Sequence, residues 1–219
     1  MHLHIVQKNI NNRAWKDFLK REKSNRPDIV CFGELATSGC LYGREQVDDL
    51  EVVLQLLADS DAAVMIGFPH ETGCGLFNAY MYYCRGEYQI YHKINLFESF
   101  NEDRVYSPGE QIGIFHTEFG KLGIAICYDL RFPDIFGRLR QAGAEKIVVP
   151  AAFPRVRIDD WRHLLMQRAK DTGLTVIGVN AVGTDGVHEF GGSSMVVDGL
   201  GKVLLQADEV SEMVLDAEL

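Results

Sequence analysis

The fold is constrained most by one stretch in the middle of the sequence, KLGIAICYDLRFPDIFGRLRQAGAEKIVVP. Residues 122–126 form a short apolar run rich in branched side chains, which predicts a buried strand, and residues 146–149 predict a second one. Between them Pro133 suits the first turn of a helix, residues 134–141 continue the helical pattern, and Gly143 ends it. A strand, a helix and a strand in succession indicate a sheet covered by helices.

The same stretch places Cys127 in the turn between the first strand and the helix. Open α/β sheets carry their ligand sites at the carboxyl ends of strands, so this thiol is a candidate nucleophile. The unpaired N–H groups at the start of a helix carry partial positive charge, which favours a thiolate and any oxyanion formed nearby. The alternative is that Cys127 is a small core residue, as buried cysteines commonly are.

Length and charge limit the class of protein and its partners. We expect residues 1–219 to form a single domain, because this length supports one stable core. The net charge of −9, with no basic run to offset it, argues against nucleic acid and anionic membranes as partners. No apolar run approaches the roughly 18 residues that would span a bilayer. The five cysteines form no CxxC pair and the first residues carry no signal-like region, which favours the cytoplasm and free thiols.

Alternating strand and helix patterns along the chain predict a mixed α/β fold rather than a purely parallel sheet. Helices are predicted around Trp15 and Phe18, from Val47 to Leu57, and around Trp161 to Arg168. Further strands are predicted at residues 3–7, 28–32, 62–68, 112–117, 174–180, 192–197, 202–206 and 212–216, with a hairpin over 76–93 that turns at Arg85-Gly86-Glu87.

Three polar residues share one local setting, since Glu34, Lys93 and Cys127 each end an apolar strand. A buried charge costs several kcal/mol unless it is paired, so three such groups are best explained if they meet. The carboxylate of Glu34 would then act as general base, and Lys93 would stabilise negative charge on a carbonyl oxygen. The backbone N–H of Tyr128 is a natural second donor to that oxyanion. The alternative is a Glu34–Lys93 salt bridge with Cys127 uninvolved.

The segments FGELATSG, YHKINLF and ICYDLRFPD resemble the three motifs of the nitrilase superfamily of carbon–nitrogen hydrolases, in the same order. The segments VVPAAFP, DDWRHLLMQRAKD, VGTDG and GGSSMVVDGLGKVL are also similar to that family, so the resemblance covers nearly the whole chain. The sequence departs from the family's usual pattern at Gly33 (Pro), Cys40 (an aromatic residue) and Asn95 (His). These departures leave the three polar residues intact.

The resemblance implies that Glu34 is the general base, Lys93 the oxyanion stabiliser and Cys127 the nucleophile of a thioester mechanism. It implies that Glu102 lies against the lysine and the substrate, with a solvated loop acid as the alternative. It also implies a four-layer αββα sandwich and a homodimer joined through the layer of helices that follows Cys127. No cofactor or metal is implied.

Within the superfamily the chain looks most like small ω-amidases, which hydrolyse the terminal amide of dicarboxylic acid monoamides. Such a substrate needs a cation for its second carboxylate, and guanidinium groups bind carboxylates with two hydrogen bonds. Arg131, Arg155 and Arg157 are therefore the candidate substrate-binding residues, with ordinary surface arginines as the alternative.

Several other functions remain open. An N-carbamoyl amide hydrolase, an acyltransferase or a true nitrilase would use the same triad, and a non-catalytic binding protein would keep the fold. A metal hydrolase is disfavoured, because the sequence has no HExxH or CxxC motif and His2 and His4 are interpreted as surface residues. A Cys–His enzyme would have to use His92 or His163, which no motif supports. Cys40 is either a packed small residue or a second reactive thiol.

Overall fold

The structure is a computed structural model that describes residues 1–21, 27–39 and 50–219, without the side chains of residues 20 and 21. Its four helices are α1 (Trp15–Arg21), α2 (Leu50–Leu57), α3 (Pro133–Gln141) and α4 (Ile158–Thr172). Its strands are β1 (His2–Gln7), β2 (Ile29–Phe32), β3 (Ala63–Thr72), β4 (Gly75–Cys84), β5 (Glu87–His92), β6 (Gly113–Thr117), β7 (Gly120–Ile124), β8 (Lys146–Pro150), β9 (Thr175–Val179), β10 (Val182–Thr184), β11 (Glu189–Gly191), β12 (Met195–Val197), β13 (Val203–Gln206) and β14 (Met213–Glu218).

Two six-stranded sheets form the centre of the molecule, in the orders β14-β1-β2-β3-β4-β5 and β13-β12-β9-β8-β7-β6. Strands β1, β2 and β3 are parallel, and their neighbours β14 and β4 run antiparallel to them. The second sheet repeats this plan, with β7, β8 and β9 parallel and with β6 and β12 antiparallel at the two sides. Helices α1 and α2 connect the first parallel set and α3 and α4 the second, because parallel neighbours need a crossover.

Apolar side chains of the two sheets face each other and exclude water. Tyr82 of β4 and Phe115 of β6 bring their rings to 6.2 Å across this central layer. Trp15 of α1 packs on Phe32 from the opposite side of the first sheet, at 6.1 Å between ring centroids. Trp161 of α4 is fully buried against the second sheet, where such a side chain contributes about 3 kcal/mol. The four-layer αββα sandwich predicted from the sequence is confirmed.

The local predictions differ from the structure mainly at element ends. The connection between the strands predicted at residues 112–117 and 122–126 is shorter than predicted, because β7 already begins at Gly120. A 3₁₀ turn, Cys127–Arg131, separates β7 from α3, so the helix does not begin beside the cysteine. The short pair β10 and β11 was not predicted. Val47 and Cys40, which the sequence placed in a helix and a loop, lie outside the described residues.

None of the helices in the described residues combines the length and the apolar character that crossing a bilayer requires.

Candidate active site

Glu34, Lys93 and Cys127 all lie just beyond strand ends, as the sequence predicted, although none is the last residue of its strand. Glu34 follows β2 in a turn, Lys93 comes directly after β5, and Cys127 begins the 3₁₀ turn after β7. The first two belong to one sheet and the cysteine to the other. The three side chains meet at one end of the interface between the sheets, where all of them line the same cavity.

Lys93 is the centre of a buried ionic cluster. Its Nζ lies 2.8 Å from Glu34 Oε1 and 2.8 and 2.9 Å from the two carboxylate oxygens of Glu102. The lysine is 2% exposed and Glu102 is fully buried, so water does not screen these pairs. Burial alone would lower the pKa of Lys93, but the carboxylates of Glu34 and Glu102 outweigh burial and raise it. The cluster therefore favours the charged ammonium form of Lys93.

The buried side-chain amide of Asn78 also links Glu34 to Glu102. Asn78 Nδ2 donates to Glu34 Oε1 at 2.8 Å and to Glu102 Oε1 at 2.6 Å. The remaining oxygen of Glu34, Oε2, accepts the backbone N–H of Ala152 at 2.9 Å. Glu102 Oε2 also accepts the backbone N–H of Phe97 at 2.7 Å. These donors fix both carboxylates in position, and they leave Glu34 Oε2 with room to accept a proton.

Cys127 faces this cluster as a neutral thiol. Its side chain is 8% exposed, and its backbone has a φ of +45°, in the left-handed region that residues other than glycine seldom adopt. Burial and the nearby Glu34 carboxylate raise the pKa of the thiol well above its ordinary value, while Lys93 acts in the opposite direction. The sequence analysis expected a helix N-terminus to favour the thiolate. That expectation is wrong, because burial and Glu34 outweigh every lowering influence.

Asp129 holds the turn that carries the cysteine. Its Oδ2 accepts the backbone N–H of Ile126 at 2.9 Å and the hydroxyl of Tyr91 at 2.8 Å. Its Oδ1 accepts both the backbone N–H and the side-chain amide of Asn95, each at 2.9 Å. Burial raises the pKa of this carboxyl even though these donors lower it. Asn95, the residue that departs from the family's histidine, thus serves the cysteine turn through Asp129.

The cavity above the cysteine encloses about 380 Å³ of space between atoms, counting its open mouth. Its floor is charged and its walls are mostly aromatic. The lining residues are Glu34, Lys93, Phe97, Phe100, Glu102, Cys127, Tyr128, Arg131, Ala152, Phe153, Pro154 and Arg157. Phe97 contacts Tyr128 at 4.8 Å between ring centroids, so the loop after Lys93 closes one side of the cavity.

The three candidate arginines occupy different places. Arg131 lines the cavity, lies over the Phe153 ring, and forms a 2.8 Å ion pair with Asp160. Arg157 lines the mouth of the cavity and is exposed. Arg155 is not among the lining residues.

Arg155 is held away from the cavity by partners elsewhere. Its Nε lies 3.2 Å from Glu189, and its guanidinium donates to the carbonyl of Glu209 at 2.9 Å.

Three residues that hold the site, Asn78, Tyr91 and Asp129, were not predicted from the sequence. Asn78 carried a signal, because it is the one amide inside the apolar run LFNAYMYY of a strand predicted to be buried. A buried amide needs partners, and the two acids are those partners. The contacts of Tyr91 and Asp129 depend on how the two sheets pack, which no local pattern specifies.

The chain is similar to proteins of known activity. Residues 6–219 match the protein-family model described as carbon-nitrogen hydrolase. A 2-oxoglutaramate amidase of Bacillus subtilis is 33% identical over an alignment of 223 positions, which covers 93% of this chain and 82% of that protein. A deaminated glutathione amidase of Yersinia enterocolitica is 37% identical over 139 residues, which span 58% of this chain and only 49% of that protein.

A solved structure extends the likeness to the fold. The crystal structure of a nitrilase-superfamily member of Saccharomyces cerevisiae gives a TM-score of 0.85 and covers 99% of this chain and 89% of that one. The two sequences are 23% identical, so this match describes the fold alone.

Proposed function

This chain belongs to the carbon–nitrogen hydrolase family, and from that premise we propose that it hydrolyses the terminal amide of a small dicarboxylic acid monoamide. The family match confirms the resemblance predicted from the three motifs. The observation that carries the proposed mechanism is the buried Glu34–Lys93–Glu102 cluster, which faces the Cys127 thiol in one cavity. The amidases among its relatives support the choice of an amide as the bond that is cleaved.

The first half of the proposed reaction acylates Cys127. Glu34 takes the thiol proton as the sulfur attacks the amide carbon, because the raised pKa of Cys127 leaves the resting thiol neutral. The proton goes to Glu34 Oε2, which accepts a single hydrogen bond, whereas Oε1 already accepts two. The Lys93 ammonium and the Tyr128 N–H bind the oxyanion. When the intermediate collapses, Glu34 returns the proton to the departing nitrogen, and ammonia and a thioester are formed.

The second half hydrolyses the thioester. Glu34, ionised again, removes a proton from a water molecule that attacks the acyl carbon, and the oxyanion forms at the same donors. The sulfur of Cys127 leaves as the carboxylic acid forms, and the proton held by Glu34 is transferred to that sulfur, which restores the thiol. Glu102 keeps Lys93 charged and in place throughout, since it accepts from the ammonium with both oxygens. No step in this proposal calls on a metal or an organic cofactor.

The walls and the mouth of the cavity support the substrate class. An acyl chain of a few carbons would lie against Phe97 and Phe153, and its far carboxylate would reach the arginines. Arg157 is the better partner, because Arg131 already pairs with Asp160. The 2-oxoglutaramate amidase of Bacillus subtilis acts, by its name, on a compound of this class.

Ammonia release from a panel of substrates tests the proposal. The panel holds succinamate, 2-oxoglutaramate, uncharged butyramide, an N-carbamoyl amino acid and an aliphatic nitrile. We expect release from the two monoamides, and a loss of more than about a thousandfold in Cys127→Ala. Activity that survives in Cys127→Ala would contradict the mechanism. Release from the carbamoyl compound or the nitrile alone would contradict the substrate class.

A pair of arginine variants tests how the carboxylate is bound. Arg157→Ala should lower kcat/KM for succinamate about tenfold and leave butyramide nearly unchanged, because only the charged substrate loses a charge-assisted hydrogen bond. Arg155→Ala is the matched control, since that guanidinium is held by Glu189 outside the cavity. Equal losses on both substrates would show that Arg157 does not bind the carboxylate.

The proposal extends to a homodimer in the cytoplasm, joined through α3 and α4. Phe132, at the start of α3, is 37% exposed and offers apolar surface on that layer. Among the described residues, Cys31, Cys74, Cys84 and Cys127 are free thiols, in keeping with a reducing compartment. Light scattering of the purified protein should give twice the mass of one chain, and the mass of a single chain would contradict the dimer.

A further inference from the structure

A cluster of metal-binding groups lies on β1 and β14, on residues that do not line the catalytic cavity. His2 and His4 are two residues apart on β1, so both side chains point to the same face of the sheet. Asp216 of β14 lies directly opposite His4 in the antiparallel register. From the sequence His2 and His4 were interpreted as surface residues, but the side chain of His4 is buried. The fold supplies a carboxylate to this pair from β14.

Both imidazoles present the same nitrogen to this carboxylate. His2 Nε2 lies 2.6 Å from Asp216 Oδ1, and His4 Nε2 lies 3.6 Å from Asp216 Oδ2. The two rings meet edge to face, with their centroids 4.9 Å apart, and are not stacked in parallel. Both Nε2 atoms point toward Asp216. The ligand atoms of all three residues lie within 4.8 Å of one another.

From this convergence we propose that His2, His4 and Asp216 bind a divalent transition metal of the Zn²⁺ class. Two imidazole nitrogens and one carboxylate oxygen are a ligand set that Zn²⁺ accepts in proteins. Tetrahedral bonds of about 2.0–2.2 Å place neighbouring ligand atoms about 3.3 Å apart. With one oxygen taken from Asp216, the three ligand atoms lie within 4.8 Å of one another, so side-chain rotations bring them to this spacing.

The burial of the three ligands differs in a way that suits a site with one open position. The side chain of His4 is 3% exposed, that of His2 is 22% exposed, and that of Asp216 is 49% exposed. The metal enters from the side of Asp216, and water takes the fourth position there.

The backbone N–H of His2 donates to Asp28 Oδ2 at 2.7 Å, which fixes the start of β1 against the loop before β2.

The bound metal fastens the edge of the first sheet. Strand β14 pairs with β1 on one side and ends the sheet on the other. A metal that joins β1 to β14 therefore stabilises the folded chain by an amount that rises with the logarithm of the free metal concentration once that concentration exceeds the Kd. This role is independent of the amidase proposal.

Titration of the metal-free protein with Co²⁺ and Zn²⁺ tests the site. Co²⁺ bound to nitrogen and oxygen ligands gives visible d–d absorption without the thiolate-to-metal charge-transfer band that binding at Cys127 would produce. We expect one Co²⁺ per chain, and Zn²⁺ should displace it and raise the melting temperature. His2→Ala and Asp216→Asn, which change partly exposed side chains, should each weaken binding by at least about tenfold.

Two variants serve as controls in the same titrations. His116→Ala removes an exposed histidine from β6, an edge strand of the other sheet, and should leave binding unchanged. Cys127→Ala should also bind Co²⁺ as the wild type does. The proposal is overturned if Co²⁺ and Zn²⁺ do not bind, if His2→Ala and Asp216→Asn bind them as tightly as the wild type, or if Cys127→Ala loses the Co²⁺ spectrum.

Discussion

Glu34 affects Cys127 in two opposing ways. Two carboxylates, Glu34 and Glu102, surround the single ammonium of Lys93, so the ionised cluster keeps a surplus negative charge beside the thiol. That surplus, together with burial, disfavours a thiolate before the substrate arrives. The proposed base therefore keeps the nucleophile protonated at rest and removes its proton only during attack. This arrangement limits side reactions of the thiol.

Replacing Glu34 by Gln separates these two effects. Glu34→Gln should reduce amide turnover by about 10²–10⁴-fold, because the general base is lost. The same change should lower the pKa of Cys127, because Glu34 is the charged group that raises it most. Alkylation by neutral iodoacetamide, followed against pH by mass spectrometry, measures that pKa directly.

The matched control for this variant is Glu98→Gln, which alters an exposed acid in the loop after Lys93. It should change neither turnover nor the alkylation profile. An alkylation profile of Glu34→Gln that coincides with the wild type, or moves to higher pH, would contradict this account of the site's electrostatics.

At the scale of elements, the turn that carries Glu34 is held against β3 by close backbone contact. Gly67 of β3 donates its N–H to the carbonyl of Gly33 at 3.2 Å and accepts the N–H of Thr37 at 3.3 Å. A Cβ added at Gly67 would lie 2.4 Å from the backbone nitrogen of Leu35 and 2.6 Å from the oxygen of Gly33. The absence of a side chain at this position is what lets the turn approach the sheet.

Gly67→Ala should therefore displace the Glu34 turn. We expect a loss of stability of about 1–3 kcal/mol from overpacking, together with a loss of amidase activity. Gly137→Ala in α3 is the comparison, because nothing lies within 4 Å of its added Cβ. That variant should gain about 0.5–1 kcal/mol, since alanine favours a helix. Chemical denaturation measures both, and a Gly67→Ala protein as stable as the wild type would contradict the packing argument.

Local sequence patterns predicted the helices and strands correctly where a glycine marks a turn or the end of a helix. The hairpin turn at Arg85-Gly86 and the end of α3 before Gly143 are confirmed, and both glycines have the positive φ that such positions favour. The strands β10 and β11 escaped prediction because each spans three residues, too few to show a period. The 3₁₀ turn after Cys127 depends on the buried contacts of Asp129, which arise only when the sheets pack.

The residues of the candidate active site and of the proposed metal site were also predictable only in part, because some of their contacts arise only when the strands pair and the sheets pack. Grouping Glu34, Lys93 and Cys127 followed from the cost of burying unpaired charge, and the structure does bring the three together. The partners that fix them, such as Asn78, come from strands whose register the sequence does not specify. The position of Asp216 opposite His4 could not be predicted for the same reason, because it depends on the pairing of β1 with β14.

At the scale of the whole molecule, a pair of histidines makes stability depend on pH. His70 Nδ1 and His92 Nε2 lie 2.9 Å apart, and the ring of His92 stacks on Phe77 at 4.2 Å. Burial lowers the pKa of His70, and burial together with His70 lowers the pKa of His92 from 6.5 to about 4. The folded protein therefore binds fewer protons than the unfolded chain between these values, and the pair's contribution to stability, complete above pH 6.5, is lost as the pH falls toward 4.

Denaturation at a series of pH values should show this loss as a fall in the free energy of unfolding between pH 6.5 and 4. His92→Gln should flatten the fall, whereas His163→Gln, which changes an exposed histidine of α4, should not. Three carboxyl groups have pKa values lowered from 3.8, those of Asp160, Asp185 and Asp208. They titrate below the range between pH 6.5 and 4 and do not contribute to the fall measured there. A fall of equal slope in His92→Gln would contradict the assignment.

The division of the proposed catalytic groups between two sheets has a consequence for synthesis on the ribosome. Glu34, Lys93 and Glu102 leave the exit tunnel early, but their partner Cys127 and the backbone of Ala152 follow later. Strand β1 pairs with β14, which comes after the other described strands in the sequence. The proposed nucleophile is therefore translated before the first sheet is complete, and the proposed catalytic groups gain the full support of both sheets only once residues 213–218 have been translated.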